Sequence, residues 1–385
     1  MSVEGLDALL SDQGWAYASS PPFEPGDPGR FHALFGRDSL ITALQVLPVR
    51  ADVAHATLRA LARLQGRQEH PGTLEEPGKI GHEFRDAPPE QFVASGWPPD
   101  GPFAYYGSSD ATSWFLVLLA ATGDGALARE LEPNWRAAGA WLEGALERGG
   151  GFVRCAAGTW GALSQQGWRD AIDPVSAQDH GGILRPDGSA PASPLADVDS
   201  QAAAHAGLRA LARLSGEDRR ERAAAELRER LGALGPEAMA VEPDGTIVEG
   251  AGSQLGWLLW AGALDGAARE AAADRLCRPD VLTDRGLRTL SSDSPVFGPD
   301  FYHRGSVWPF DSWIGWGGLR AAGRDAEAER VRTGVLAAVE QLGRAPELYA
   351  LERDGTVAPV PLANHVQAWT VGALWALRNR WDGRG

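Results

Sequence analysis

Lysine is almost missing from this chain: Lys79 is the single one, and every other basic residue is arginine. Cysteine is as scarce, with only Cys155 and Cys277. Two isolated thiols give neither a metal-ligand spacing nor a disulfide framework, which favours a reducing compartment, so the expected location is the cytoplasm. The N-terminus carries Glu4 and Asp7 with no apolar h-region, and no apolar run approaches membrane-spanning length. The eight histidines are scattered without an HxxxH or HxH pair, and there is no GxSxG elbow and no phosphate-cradling glycine loop. No metal and no cofactor is therefore expected. Positive charge is also short: the net charge is −15 and the pI about 5.0, which argues against nucleic acid or an anionic membrane as partner.

What is present is ample for a large core. The chain has 385 residues, 44% of them hydrophobic, and reads as globular. Fifteen tryptophans are well above ordinary usage, and many stand beside Gly, Asp or Arg. Stacking platforms for sugars explain that placement, and so does a tryptophan-rich core. The lone ammonium of Lys79, in EEPGKIGHEFRD, marks that stretch as one that needs a point charge.

The stretch Phe301 to Leu319 organises the rest. Trp313, Trp316 and Leu319 recur at spacing three, and Pro309 fits only in the first turn of such a helix. Ahead of it stand Tyr302, His303, Arg304, Gly305, Ser306 and Trp308, more polar and aromatic side chains than a plain helix start needs. The segment reads as the inner helix of a helical toroid with its N-terminal end turned to a substrate.

Residues 1–34 contain Pro21, Pro22, Pro25 and Pro28 and read as an irregular segment packing on a single domain, residues 1–385. Helical periodicity then comes in pairs: Asp38 or Ser39 to Leu47 with Asp52 to Gln65; Asp110 to Ala121 with Ala126 to Arg148; Val198 to Leu214 with Glu217 to Leu231; Ser253 to Ala263 with Gly266 to Cys277; the Pro309 helix to Ala322 with Ala326 to Leu342. A closing helix spans Asn364 to Trp381, and a twelfth is not placed. Val241 to Glu249 reads as a strand or a hairpin about Pro243-Asp244-Gly245. Connections within pairs are short and those between pairs are usually long, so stacked hairpins would send every long loop to one face. That face receives Arg37, Asp38, Asp110, Asp199, Ser253, Gln254, Tyr302 to Trp308, His365 and Gln367. Ordinary N-capping accounts for Asp38, Asp110 or Asp199 singly, but not for Arg37, Tyr302, His303 or Gln367.

Carboxylates among aromatics are the ingredients of glycoside hydrolysis, in which one acid protonates the leaving oxygen and a second activates water or attacks. Asp170, beside Trp168 and Arg169, is the preferred acid. Asp173, followed by Pro174, is its rival. Glu347, between Pro346 and Tyr349, is the preferred base, over Glu352 at a hairpin tip and Asp311 inside its helix.

In order along the chain, GRDSL, EEPGKIGHEFR, YYGSSDAT, QGWRDA, YHRGSVWP, APELY and QAW resemble the amylo-α-1,6-glucosidase domain of glycogen debranching enzymes. That domain is similar to the glucosidases and mannosylglycerate hydrolases of glycoside hydrolase family 63. The resemblance implies an all-α, (α/α)6 toroid with long loops and small β-hairpins on the site face. It implies an inverting mechanism with Asp170 as general acid and Glu347 as general base, the carboxyl groups about 6.5–9.5 Å apart. It further implies that Arg37 and Asp38 hold sugar hydroxyls, that Lys79, His82, Glu83, Tyr106 and Asp110 join the site, and that Trp168, Tyr302, His303 and Trp308 wall it. Gln367 belongs to the same set. Arg169 stands where the family usually has lysine, and the accompanying transferase and sugar-binding domains are not seen. The expected activity is hydrolysis of an α-glucoside or α-mannoside, an α-1,6 branch or a glycosylglycerate among them. A sugar epimerase or isomerase using His303 and His365, or a silent carbohydrate-binding scaffold, are the alternatives.

Overall fold

Helix α1 (Gly36–Val46) turns back into α2 (Ala51–Arg63), and after an excursion holding the short α3 (Glu90–Ala94) the pattern repeats. α4 (Ala111–Ala121) pairs with α5 (Gly125–Glu130) and α6 (Glu132–Arg148), α7 (Val198–Ser215) with α8 (Asp218–Leu234), α9 (Gln254–Ala261) with α10 (Gly266–Leu276), and α11 (Pro309–Ala321) with α12 (Asp325–Leu342). α13 (Ala368–Arg378) closes the series. This computed structural model describes residues 2–176 and 180–384. Every residue of α1 and α9 is buried, as are nearly all of α4, α11 and α13, which is how a helix inside a ring differs from one on a surface. The inner helices pack in the cyclic order α1, α4, α7, α9, α11, α13 and back to α1, with α2, α6, α8, α10 and α12 on the outside.

The twelfth helix of the ring would be the outer partner of α13. Its place is taken by the N-terminal segment, where a single 3-10 turn, Asp7–Leu9, buries Leu6 and Leu9. Asp7 pairs with Arg50 at 2.6 Å, Gly14 lies against Ala56 of α2, and Gly5 against Val371 of α13. At the far end of the ring the C-terminal tail forms a plug: Trp381 and Asp382 accept through their carbonyls from the indoles of Trp313 and Trp260, and Trp381 donates to Leu44.

Two boundaries differ from the sequence reading for visible reasons. The outer helix expected from Ala126 to Arg148 is broken at Leu131, because Pro133 lacks an N–H and restarts the helix in its own first turn. The closing helix starts at Ala368 and not at Asn364, because Asn364 to Gln367 stay outside the helix and bond elsewhere. The glycine-rich IGWGGL of α11 also has a cause. A Cβ at Gly318 would stand 2.3 Å from the Gly256 carbonyl oxygen, and one at Gly256 2.5 Å from Cα of Gly315, so α9 and α11 approach backbone to backbone.

The long excursions carry small antiparallel sheets at the N-terminal ends of the inner helices. The first combines β1 (Leu34–Phe35), β2 (Glu83–Arg85) and β3 (Phe103–Tyr105), with Phe35 opposite Glu83 and Glu83 opposite Tyr105. The stretch read as a strand or a hairpin is a hairpin, β5 (Ala238–Val241) with β6 (Ile247–Glu249), and β4 (Ala196–Asp197) joins it. β7 (Leu282–Thr283) pairs with β8 (Gly286–Leu287), and β9 (Tyr349–Leu351) with β10 (Val357–Pro359). Cys155 is buried and Cys277 half-buried, and neither forms a disulfide. No helix among the described residues is long and apolar enough to cross a membrane.

Candidate active site

A cavity of about 530 Å³, within the usual range of small-molecule sites, opens where the inner helices α1, α11 and α13 begin. Its floor is set by Arg37, in the first turn of α1. Nε of Arg37 lies 2.9 and 2.8 Å from the two oxygens of Asp110, the N-cap of α4, and its Nη2 donates to the Gln166 carbonyl at 3.2 Å. The remaining nitrogen, Nη1, stands 3.6 Å from Asp170. Asp110 therefore offsets the guanidinium charge from behind while Arg37 fixes the loop that carries Asp170. Asp110 itself is fully buried and lies outside the cavity wall.

Asp170 keeps 27% of its side chain exposed, the most accessible of the candidate carboxylates that reach the cavity interior. His82, from the middle of the first excursion, points Nε2 at it from 3.8 Å. Burial and the nearby Arg37 and Arg85 hold the His82 imidazole well below its usual pKa, so it faces Asp170 as a neutral ring. Trp168 stacks on Trp257 at 6.0 Å and meets the edges of His303 and Trp308. The Gly182 N–H donates to Nδ1 of His303, which leaves the ring proton on Nε2, and the ring also bonds to the Asp170 backbone. His303 is held neutral by burial and by Arg169, Arg37 and Arg304.

Arg169 turns away from the cavity. Its guanidinium donates to Asp199 of α7 at 3.0 Å, to Ser253 at 2.7 Å, and to the carbonyls of Thr289 and His303 at 2.8 and 3.3 Å. It also lies 4.4 Å from the Trp168 ring centre. Arg169 is a bolt that fastens the Asp170 loop to two inner helices.

On the opposite loop Glu347 is 1% exposed. The Tyr302 hydroxyl donates to Oε1, and Oε2 accepts from the Asn364 N–H at 3.0 Å and its Nδ2 at 3.2 Å. Burial pushes the Glu347 carboxyl up to about 7, against the lowering effects of Arg30 and of those donors. Asp38 and Glu83, both in the same wall, are likewise raised to about 7, chiefly by burial, with Arg37 and Arg85 respectively pulling them down. The charge of Glu347 adds to the rise at Asp38, so the protons on these two carboxyls are coupled.

This cluster has a stability consequence. Each of these folded-state pKa values lies above its unfolded value, so the protonated forms favour the folded state. The stabilisation is complete below the unfolded pKa, near 4.5 for glutamate, and is lost as pH rises through about 7. Glu347→Gln is therefore expected to melt above the parent protein at pH 8. The gap should close at pH 4 to 5 when melting temperatures are compared across that range, and an equal gap at both ends would contradict the assignment.

Arg37, Asp38, His82, Glu83, Trp168, Asp170, Tyr302, His303, Trp308 and Glu347 thus meet around one cavity. Four other expected residues do not line it. The Lys79 ammonium is bound by Glu76 at 3.1 Å and the Leu74 carbonyl at 3.2 Å and lies over Trp141, facing the outer helix α6. Tyr106 donates to the Leu64 carbonyl at 2.7 Å and packs on Phe84. Asp110 backs Arg37, and Gln367 is fully buried, donating to Asp38 at 3.3 Å. Among the rivals, Asp173 reaches the mouth but caps the turn at Val175 and Ser176. Asp311 accepts from the Trp257 indole, and Glu352 lies in the β9–β10 hairpin outside the cavity. His365 is bound to Glu24, meets Phe23 edge to face, and does not line the cavity that His303 lines.

The cavity also holds residues that the sequence did not single out: Arg30 and Phe31 from the N-terminal segment, Phe35 at the start of α1, Gln91 and Phe92 from the first excursion, and Trp369 of α13. The QAW that opens α13 was a usable signal for Trp369. Nothing local marks Arg30.

Residues 188–350 match the family model described as the mannosylglycerate hydrolase MGH1-like glycoside hydrolase domain. No curated protein matches the chain by sequence. Over 97% of its length the chain is similar in structure to the GH63 mannosylglycerate hydrolase from Thermus thermophilus in complex with Tris and D-glycerate, covering 98% of that chain with a TM-score of 0.68 at 18% identity. The same enzyme in complex with glucose superposes with a TM-score of 0.65 at 18% identity, each chain 97% covered. A protein described as a wild-type glycosidase is similar over the whole chain and 95% of its own, with a TM-score of 0.57 at 17% identity. The fold is the six-hairpin toroid of those GH63 structures.

Proposed function

We propose that this chain is an inverting α-glycoside hydrolase, with Asp170 as general acid and Glu347 as general base, acting on a small α-mannoside or α-glucoside. The observation that carries the reading is the convergence of these two carboxyl groups, from loops far apart in sequence, on one tryptophan-walled cavity. The partial match to a mannosylglycerate hydrolase-like domain supports the reaction class and points toward an α-mannoside such as mannosylglycerate.

In this reading the sugar to be cleaved sits over Trp168 with its hydroxyls toward Arg37 and Asp38. Asp170 gives its proton to the glycosidic oxygen as the bond to the anomeric carbon breaks. Glu347 takes a proton from a water that attacks that carbon from the other face, so the product anomer is inverted. A base acts as its carboxylate, so turnover falls as pH drops below about 7, where the buried Glu347 takes up its proton. The test is a panel of α-linked mannosides, glucosides and branched maltooligosaccharides with the first-formed anomer followed by proton NMR. Beta anomer from an α substrate is the expected result; α product would overturn the mechanism, and no hydrolysis of any member would overturn the function.

A further inference from the structure

Glu347 has more donors around it than a buried glutamate needs to be held, and their arrangement is informative. Oε2 takes two hydrogen bonds, both from Asn364, through the main-chain N–H at 3.0 Å and Nδ2 at 3.2 Å. Oε1 takes one, from Tyr302. A carboxylate oxygen offers about two acceptor positions, so Oε2 is filled and Oε1 has one position left. The orientation of the Asn364 amide is itself dictated. Its Oδ1 accepts from the main-chain N–H of Arg30 at 3.0 Å, and an N–H can only donate, so the oxygen must face Arg30 and the NH2 group must face Glu347. The same NH2 group reaches Oε1 of Gln367 at 3.2 Å, and Gln367 Nε2 reaches Asp38 at 3.3 Å, which leaves the amide no second setting.

We propose that Asn364 is a positioning residue for the base: held in one orientation by the Arg30 N–H of the N-terminal segment, it fills Oε2 of Glu347 and leaves a single acceptor position, on Oε1, for the attacking water. The proposal rests on the reading of Glu347 as base. It gives the N-terminal segment a part in the chemistry, because the peptide N–H of Arg30 fixes the amide that fixes the carboxylate. A carboxylate with one open position aims its water along one line, and misplacement of a reacting group by about 1 Å costs on the order of 100-fold in rate.

The test uses Asn364→Ala and Asn364→Asp in the full chain, each alone and combined with Glu347→Gln. Asn364→Asp keeps an acceptor for the Arg30 N–H and the shape of the side chain, so the fold survives, but it puts a carboxyl oxygen where the NH2 group was. Both single variants are expected to lower kcat by about 10- to 100-fold with KM little changed, and to move the acid limb of the pH–rate profile upward as Glu347 loses a donor that favours its charged form. In the Glu347→Gln background neither should lower the residual rate further. Normal kcat and an unmoved acid limb in Asn364→Asp would overturn the proposal, as would an equal loss with and without Glu347. If Glu347→Gln alone kept normal turnover, the failure would lie with the base and the positioning role would fall with it.

Discussion

Replacing Asp170 by asparagine, or Glu347 by glutamine, is expected to lower kcat by about 10²- to 10⁴-fold while sugar binding persists, since a positioned acid or base contributes on that scale. The two substitutions differ in what they remove. In Asp170→Asn the new amide could still accept from a sugar hydroxyl but has no acidic proton to give to a leaving oxygen. A poor leaving group should therefore suffer far more than an activated one, such as a fluoride or nitrophenolate, that departs without protonation. In Glu347→Gln the side chain keeps its place, because its amide oxygen can accept from Asn364 and its NH2 group can donate to Tyr302, yet it cannot take a proton from water. Activated substrates should give no rescue there. Calorimetric titration with the product sugar reads binding separately from turnover. Near-normal turnover in either variant would remove that residue from its role.

The second large effect is on stability and falls on a residue that touches no substrate. Arg169→Met is expected to cost about 3–5 kcal/mol, the scale for breaking a buried ion pair from one side. The change leaves Asp199 charged and fully buried without its partner, and removes the donors to Ser253 and to two main-chain carbonyls. Denaturant titration should show the loss as a lower midpoint at an unchanged slope. A midpoint within the equivalent of about 1 kcal/mol of the parent would mean that Arg169 is not the bolt its geometry describes. Arg169→Lys should recover only part of the loss, since one ammonium cannot reach Asp199, Ser253 and the two carbonyls with the planar fork of a guanidinium.

The role of position 169 shows where sequence reading stops. Beside Trp168 and Asp170, a side chain can point inward against the Asp170 carboxyl or outward against the scaffold, and spacing along a loop does not choose between them. The choice was made by Asp199 and Ser253, at the starts of α7 and α9, which offer acceptors on the outer side. Lys79 and Tyr106 are the converse. Lys79 stands in a stretch that reaches the cavity through His82 and Glu83, and Tyr106 in one whose Asp110 backs Arg37 from outside it. The pull of Glu76 on one and of the Leu64 carbonyl on the other turns them outward.

The helical ring was written in local features: 3.6-residue periodicity, the proline opening α11, short turns within pairs and long excursions between them. Such signals depend on near neighbours in the chain, so one sequence carries them. The convergence of Asp170 and Glu347 was legible as well, because both stand in aromatic loops on the side where the inner helices begin. The partners of Glu347 were not. Arg30 meets Asn364, and Gln367 meets Asp38, across nearly the whole length of the chain. No local propensity encodes such a pairing; it exists only once the ring closes α13 against α1 and lays the N-terminal segment over the seam. The chain alone thus determined the scaffold and the two acidic loops, and tertiary packing decided which way each polar side chain faces, because burial leaves each of them only those partners that closure brings within hydrogen-bond reach.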